Sequence, residues 1–165
     1  MSVTSQTLQI PILPKSVFSQ KSVPFHGNSI LVIDDDPDFA EALKAQLESQ
    51  GRFHVNLAMD PFEGANMLAD QRFDMVVTDC VLQDWDGVTT LENADHLIDV
   101  DPTVGDQWND LKPVKVLFCS GAPIRLMDLR RANKLKHFSV VGFLPKGTGL
   151  NSICRSVERL TRAQG

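Results

Sequence analysis

From Ser29 to Leu144, short apolar runs that end in a polar residue alternate with stretches in which apolar residues return at helical spacing. Ser29-Ile30-Leu31-Val32-Ile33 ends at Asp34-Asp35, and Met75-Val76-Val77-Thr78 ends at Asp79. A run over Val114 to Cys119 ends at Ser120, and one over Val140 to Leu144 leads through Pro145 to Lys146. Each has the length and composition of a strand buried on both faces. Phe53 to Leu57 supplies a fifth strand.

Between the strands lie helix signals. Asp36 is placed to cap a helix that opens on Pro37, carries Phe39, Leu43 and Leu47 on one face, and stops near Gly51. Asp60-Pro61-Phe62-Glu63 reads as a cap with a capping-box pattern, opening a helix to about Gln71. Val88 to Leu91 begins a third helix, with Leu91, Leu97 and Ile98 available to the core. The acidic stretch Asp99 to Asp110, interrupted by Pro102 and Gly105, reads as a loop. Pro123 to Lys136 is predicted as a fourth helix, marked by Ile124, Met127 and Leu135. A last helix carries Leu150, Ile153, Val157 and Leu160, a stripe read as core packing. Five strands alternating with five helices predict an α/β fold, a doubly wound parallel sheet covered on both faces. No internal repeat is present.

Composition narrows the classes. The 165 residues suit one domain, and 42% hydrophobic content is enough for a sizeable core. A net charge of −5 argues against a general nucleic-acid surface. No apolar stretch is long enough for membrane insertion, and the N-terminus lacks the pattern of a secretory signal. Residues 1–28 hold Lys15 and Lys21 but no acid, with Pro11, Pro14 and Pro24 breaking any helix. They are expected to form a disordered tail, with residues 29–165 as the folded domain; the alternative is docking through Leu8, Ile10, Ile12 and Leu13. Cys80, Cys119 and Cys154 are odd in number and scattered, as expected of small core residues in a reducing cytoplasm rather than a thiol switch at Cys80.

The polar strand ends carry the chemistry. In an open α/β sheet, ligands bind at the carboxyl edge of the strands. An acidic pair, a lone Asp, a hydroxyl and a Lys meeting there would suit a divalent cation and a phosphoryl group. Two adjacent carboxylates repel, and a hard cation with a preference for oxygen resolves that repulsion. A carboxylate also serves as a nucleophile without a general base, because it is ionised at neutral pH.

The ordered set Ile30-Leu31-Val32-Ile33-Asp34-Asp35-Asp36, Asp74-Met75-Val76-Val77-Thr78-Asp79, Asp86-Gly87, Ser120-Gly121 and Phe143-Leu144-Pro145-Lys146 resembles the response-regulator receiver domains of bacterial two-component signalling. The resemblance implies a flavodoxin-like (βα)5 fold with strand order 2-1-3-4-5. It implies that Asp79 is the phosphoacceptor, served by Ser120 and Lys146. A Mg²⁺ ion would be held by Asp35 directly, Asp34 mainly through water, Asp79, and the backbone carbonyl of Val81. The donor would be a phosphohistidine on a sensor histidine kinase or histidine phosphotransfer protein, and the output a change in binding to a downstream protein. Ser120 would move toward the phosphate, and Phe143 would fill the space left behind. Such a protein is a signalling phosphoacceptor rather than an enzyme. Because the chain ends soon after its last helix, a stand-alone receiver is expected.

The pattern departs in places. Gln83 stands where many members have Pro, Pro145 precedes Lys146 instead of following it, and Gly147 is expected to loosen that loop. Apolar Val81 and Ala122 flank the site where polar groups would orient a hydrolytic water, so slow loss of the phosphoryl group is expected. Two alternatives stand beside this reading. One is a constitutive docking module of the same fold. The other is a Mg²⁺-dependent phosphatase with an aspartyl nucleophile, which Val81 disfavours because a second Asp would be wanted there as acid/base.

Overall fold

The computed structural model describes residues 28–105, 108–109 and 111–162. The expected tail lies outside the described residues except for Asn28, which opens the first strand. In chain order the elements are β1 (Asn28–Ile33), α1 (Pro37–Glu48), β2 (Phe53–Ala58), α2 (Pro61–Asp70), β3 (Met75–Thr78), α3 (Gly87–Val100), α4 (Pro102–Gly105), β4 (Val114–Ser120), α5 (Leu126–Ala132), β5 (Phe138–Pro145) and α6 (Leu150–Arg162). All five strands are parallel, in the order β2-β1-β3-β4-β5. The predicted doubly wound sheet is therefore observed.

Strand alternation divides the core in two. Leu31, Ile33, Val76, Val116 and Phe118 face α2, α3 and α5, where they meet Leu68, Leu91, Ala94, Ile98 and Ala132. Ile30, Val32, Met75, Val77, Leu117 and Cys119 face α1 and α6, meeting Ala40, Leu43, Leu47, Ile153 and Val157. Both predicted stripes, on α1 and α6, are thus core faces.

The caps carry much of the local order. Asp36 accepts from the Asp38 and Phe39 N–H groups at 3.1 and 3.2 Å, as predicted. Asp60 accepts from the Glu63 N–H at 2.8 Å, while the Glu63 carboxylate reaches past the cap to the Met59 N–H at 3.0 Å. Gly51 takes a φ of 66°, a left-handed conformation that suits glycine after a helix end.

Two expectations need correction. The segment predicted as a loop from Asp99 begins inside α3, which runs to Val100; a single turn, α4, follows, and Trp108 is buried against Phe138. The acidic composition hid this, because the apolar anchors Leu91, Ala94 and Ile98 hold the helix while its charges face solvent. The helix predicted from Pro123 to Lys136 is only the seven residues of α5; Met127 is 73% exposed, while Ile124 and Leu135 pack from the flanks. The Lys146–Thr148 segment is a 3-10 turn in which the Thr148 hydroxyl donates to the Pro145 carbonyl at 2.8 Å. Gly149 follows it at a φ of 83°.

Candidate functional site

The parallel register places four strand ends side by side. Asp34 follows β1, Asp79 follows β3, Ser120 ends β4 and Lys146 follows β5, so crossovers deliver all four to the carboxyl edge. The Lys146 Nζ lies 2.7 Å from an oxygen of Asp34 and 2.7 Å from Oδ2 of Asp79. The other Asp79 oxygen, Oδ1, accepts from the Ser120 hydroxyl at 2.6 Å and from the Val81 N–H at 3.0 Å. Asp34 also accepts from the Asp36 N–H at 3.0 Å, which ties the acidic pair to the start of α1. Asp34, Asp79 and Ser120 are buried, whereas Asp35 is exposed.

The electrostatics follow from that burial. Desolvation pushes the Asp34 carboxyl above its ordinary range, against the pull of Lys146 and the Asp36 N–H. For Lys146 burial acts downward, but hydrogen bonds to Asp34 and Asp79 win, and the ammonium is held above its usual value. Lys146 therefore stays charged between two carboxylates. Its Nζ also sits 4.6 Å from the centre of the Phe39 ring. Nothing in the sequence pairs Phe39 with Lys146, and only the seating of α1 reveals the contact.

Asp34, Asp35 and Asp79 each offer an oxygen within 4.8 Å of the others. Three carboxylates against one ammonium leave surplus negative charge, and the donors are all hard oxygens. This donor set fits a hard divalent cation such as Mg²⁺.

The loop after Asp79 is shaped by Asp86-Gly87. Asp86 caps α3 by accepting from the Thr89 N–H at 2.6 Å, and Gly87 donates its N–H to the Cys80 carbonyl at 3.1 Å. A Cβ at Gly87 would lie 2.1 Å from the Asp79 carbonyl oxygen, so only glycine fits. The predicted motif thus seats the backbone of Asp79 itself. The family model of the response regulator receiver domain matches residues 30–104, a span holding Asp34, Asp35, Asp79 and this loop. Over that span the chain is similar to the response-regulator receiver family.

Solved structures extend the likeness to the whole fold. The receiver domain of HemR from Leptospira biflexa is 26% identical, with 81% of this chain and 94% of that one covered and a TM-score of 0.60. A CheY-like receiver from Methanospirillum hungatei JF-1 is 18% identical over 84% of this chain and 96% of that one, with a TM-score of 0.63. A receiver domain of a sensor histidine kinase from Pseudomonas aeruginosa PAO1, described with magnesium coordinated in its active-site cleft, is 21% identical over 82% of this chain and 98% of that one, with a TM-score of 0.58. No curated protein matches the chain.

Two remaining predicted residues lie beside the carboxylate cluster. Val81 contributes a backbone N–H while its side chain is exposed. Phe143 stacks on Phe118, with ring centres 5.2 Å apart and planes 5° from parallel, and is 36% exposed. It lines a groove of about 290 Å³ together with Cys80, Ser120, Pro123, Ile124 and Pro145. Burial pushes the Cys80 thiol up to about 11 and the Cys119 thiol to about 12, in line with unreactive packing residues. No described helix is long and apolar enough to cross a membrane.

Proposed function

We propose that this receiver accepts a phosphoryl group on Asp79 from a partner's phosphohistidine and thereby changes its binding to a downstream protein. One observation carries the reading. The buried Asp79 carboxylate has a cation on one oxygen and a hydroxyl on the other, with two further carboxylates in reach. In the transfer, an Asp79 oxygen bonds to phosphorus as the bond from phosphorus to the donor nitrogen breaks, and the electron pair leaves with the imidazole. Lys146 and the Ser120 hydroxyl are positioned to meet the negative oxygens of the transferred group. Asp34, Asp35, Asp79 and the Val81 carbonyl would hold Mg²⁺, which would supply charge that offsets the incoming phosphoryl group.

The donor is a sensor histidine kinase or a histidine phosphotransfer protein. Phe143, half-exposed beside the groove, is the side chain that changes position when Ser120 is drawn to the phosphate. Apolar Val81 and Ala122 leave no group to orient an attacking water, so the phosphorylated state is long-lived.

Incubation with phosphoramidate and Mg²⁺, followed by intact-mass measurement, should show gain of one phosphoryl group. Asp79→Asn should abolish it, and Val81→Asn should shorten its lifetime. A gain that survives Asp79→Asn would place the acceptor elsewhere. Rapid loss from the unaltered protein, unchanged by substitution at Val81, would remove the lifetime claim.

A further inference from the structure

The segment that follows Ser120 is fastened chiefly by polar bonds. At its start, the Ser120 hydroxyl donates to Asp79 and accepts from the Ala122 N–H at 3.2 Å. At its end stands α5, which buries only Ala132 and leaves Leu126 and Met127 exposed. Beneath it runs the 290 Å³ groove lined by Phe118, Ile124, Phe143 and Pro145.

One side chain joins α5 to the loop that carries Asp79. The Arg131 Nε donates to Glu92 at 3.0 Å, and its Nη2 donates to Glu92 at 2.5 Å and to the Thr89 hydroxyl at 2.7 Å. Its Nη1 donates to Asp86 at 3.1 Å and lies 3.5 Å from Asp128. Asp86 is the cap of α3, and the adjoining Gly87 packs on the Asp79 carbonyl. Such a fork across two carboxylates is specific to a guanidinium; an ammonium cannot reproduce it. All three charged groups are half-buried, so the cluster is accessible to water and able to open.

We propose that Arg131 is a positioning residue, a releasable latch that holds α5 and the Gly121–Arg125 loop in the resting arrangement around Asp79. The inference rests on Asp79 being the phosphoacceptor. A phosphoryl group there draws the Ser120 hydroxyl from the carboxylate oxygen to a phosphoryl oxygen, and the loop behind it must follow. The latch opposes that movement, so releasing it raises the population ready to accept the group.

The experiment compares the full chain with R131A, R131K and E92Q, using phosphoramidate with Mg²⁺ and, separately, N-ethylmaleimide. R131A should take up the phosphoryl group roughly fivefold faster, the order expected for a half-exposed ion-pair cluster. Cys80, which lines the groove, should be labelled faster by a similar factor. Buried Cys119 and Cys154 should stay unlabelled, which separates local release from general loosening. R131K should fall between the unaltered protein and R131A. E92Q, which removes the charge and one of the two acceptor oxygens and leaves the α5 sequence unchanged, should move both readouts in the same direction.

Unchanged uptake and unchanged Cys80 labelling in R131A and E92Q would overturn the proposal. So would labelling of all three cysteines together. If the unaltered protein takes up no phosphoryl group at all, the acceptor reading fails, whereas the Cys80 measurement still decides whether Arg131 holds α5.

Discussion

The half of the sheet built on β1, β2 and β3 and the half built on β4 and β5 are covered in different ways. On the first, helices are seated by apolar faces: Ala40, Leu43 and Leu47 of α1, Leu68 of α2, and Leu91, Ala94 and Ile98 of α3 are all buried. On the second, α6 is seated by buried Ile153, Cys154 and Val157, but on the opposite face α5 contributes one buried alanine. The connection into β5 is tied through carboxylates on α3, with Asp95 accepting from the His137 N–H at 2.9 Å and Asp99 paired with Lys136 and His137. Apolar burial is non-directional and hard to undo locally, whereas half-exposed polar contacts open at modest cost. The first half is thus suited to hold carboxylates in fixed positions, and the α5 face of the second to rearrange when the charge at the site changes. Asp34, Asp35 and Asp79 lie on the rigid side. Ser120 and Phe143 border the groove beside the thinly covered α5 face.

The sharpest way to break this contrast is truncation of one apolar helix residue in each half. Leu91→Ala should cost about 2–5 kcal/mol in urea unfolding, through lost burial and the cavity left behind. Met127→Ala on α5 should stay within about 0.5 kcal/mol. Similar losses at both sites would mean that the halves do not differ. Gly87→Ala should come next, at about 1–3 kcal/mol, because its Cβ would press on the Asp79 carbonyl oxygen and the backbone there must shift. Uptake of the phosphoryl group should fall with it, and a stable, fully active Gly87→Ala protein would show that the loop under Asp79 is not fixed.

Magnesium should stabilise the carboxylate side. At ten times its dissociation constant, one bound ion adds about 1.4 kcal/mol, visible as a higher melting temperature. Asp35→Asn should reduce that gain, and an undiminished gain would place the ion elsewhere.

A smaller effect concerns Asp86. Burial pushes its carboxyl upward, but the Thr89 groups and Arg131 outweigh it, so in the folded protein it ionises below its ordinary value. The stabilisation is therefore present above about pH 4, the unfolded value, and fades as pH falls through the folded one. Asp86→Asn keeps a capping oxygen but loses the ion pair. It should cost at most about 1 kcal/mol at neutral pH, with the difference vanishing on acidification; a difference that grows in acid would reverse the assignment.

Much of this was legible before folding. Apolar runs of strand length, closed by acids that cap helices, specify the order of elements, because burial and capping depend on residues close in sequence. The carboxylates, Ser120 and Lys146 were legible for the same reason: each sits at the end of its own run. Where local signals misled, the segment's state depended on distant partners. The acidic end of α3 is helical because Ile98 reaches the core, and α5 is short because few of its side chains do.

The face on which Phe143 lies shows the division plainly. Strict alternation from Phe138 would put Phe143 on the α1 and α6 side. The register slips between Val116 and Leu117, which pair with Val140 and Gly142, so Val141 is the extra residue. A one-residue insertion reverses every later side chain in a strand, and Phe143 stacks on Phe118 over the groove instead. The sequence by itself determined which groups stand at the strand ends, because a strand's extent depends on its own residues. Tertiary structure alone decided that four of those ends share one pocket, that Arg131 spans two helices, and which way Phe143 turns. Each of these is a relation between segments far apart in the chain, and no local pattern encodes such a relation.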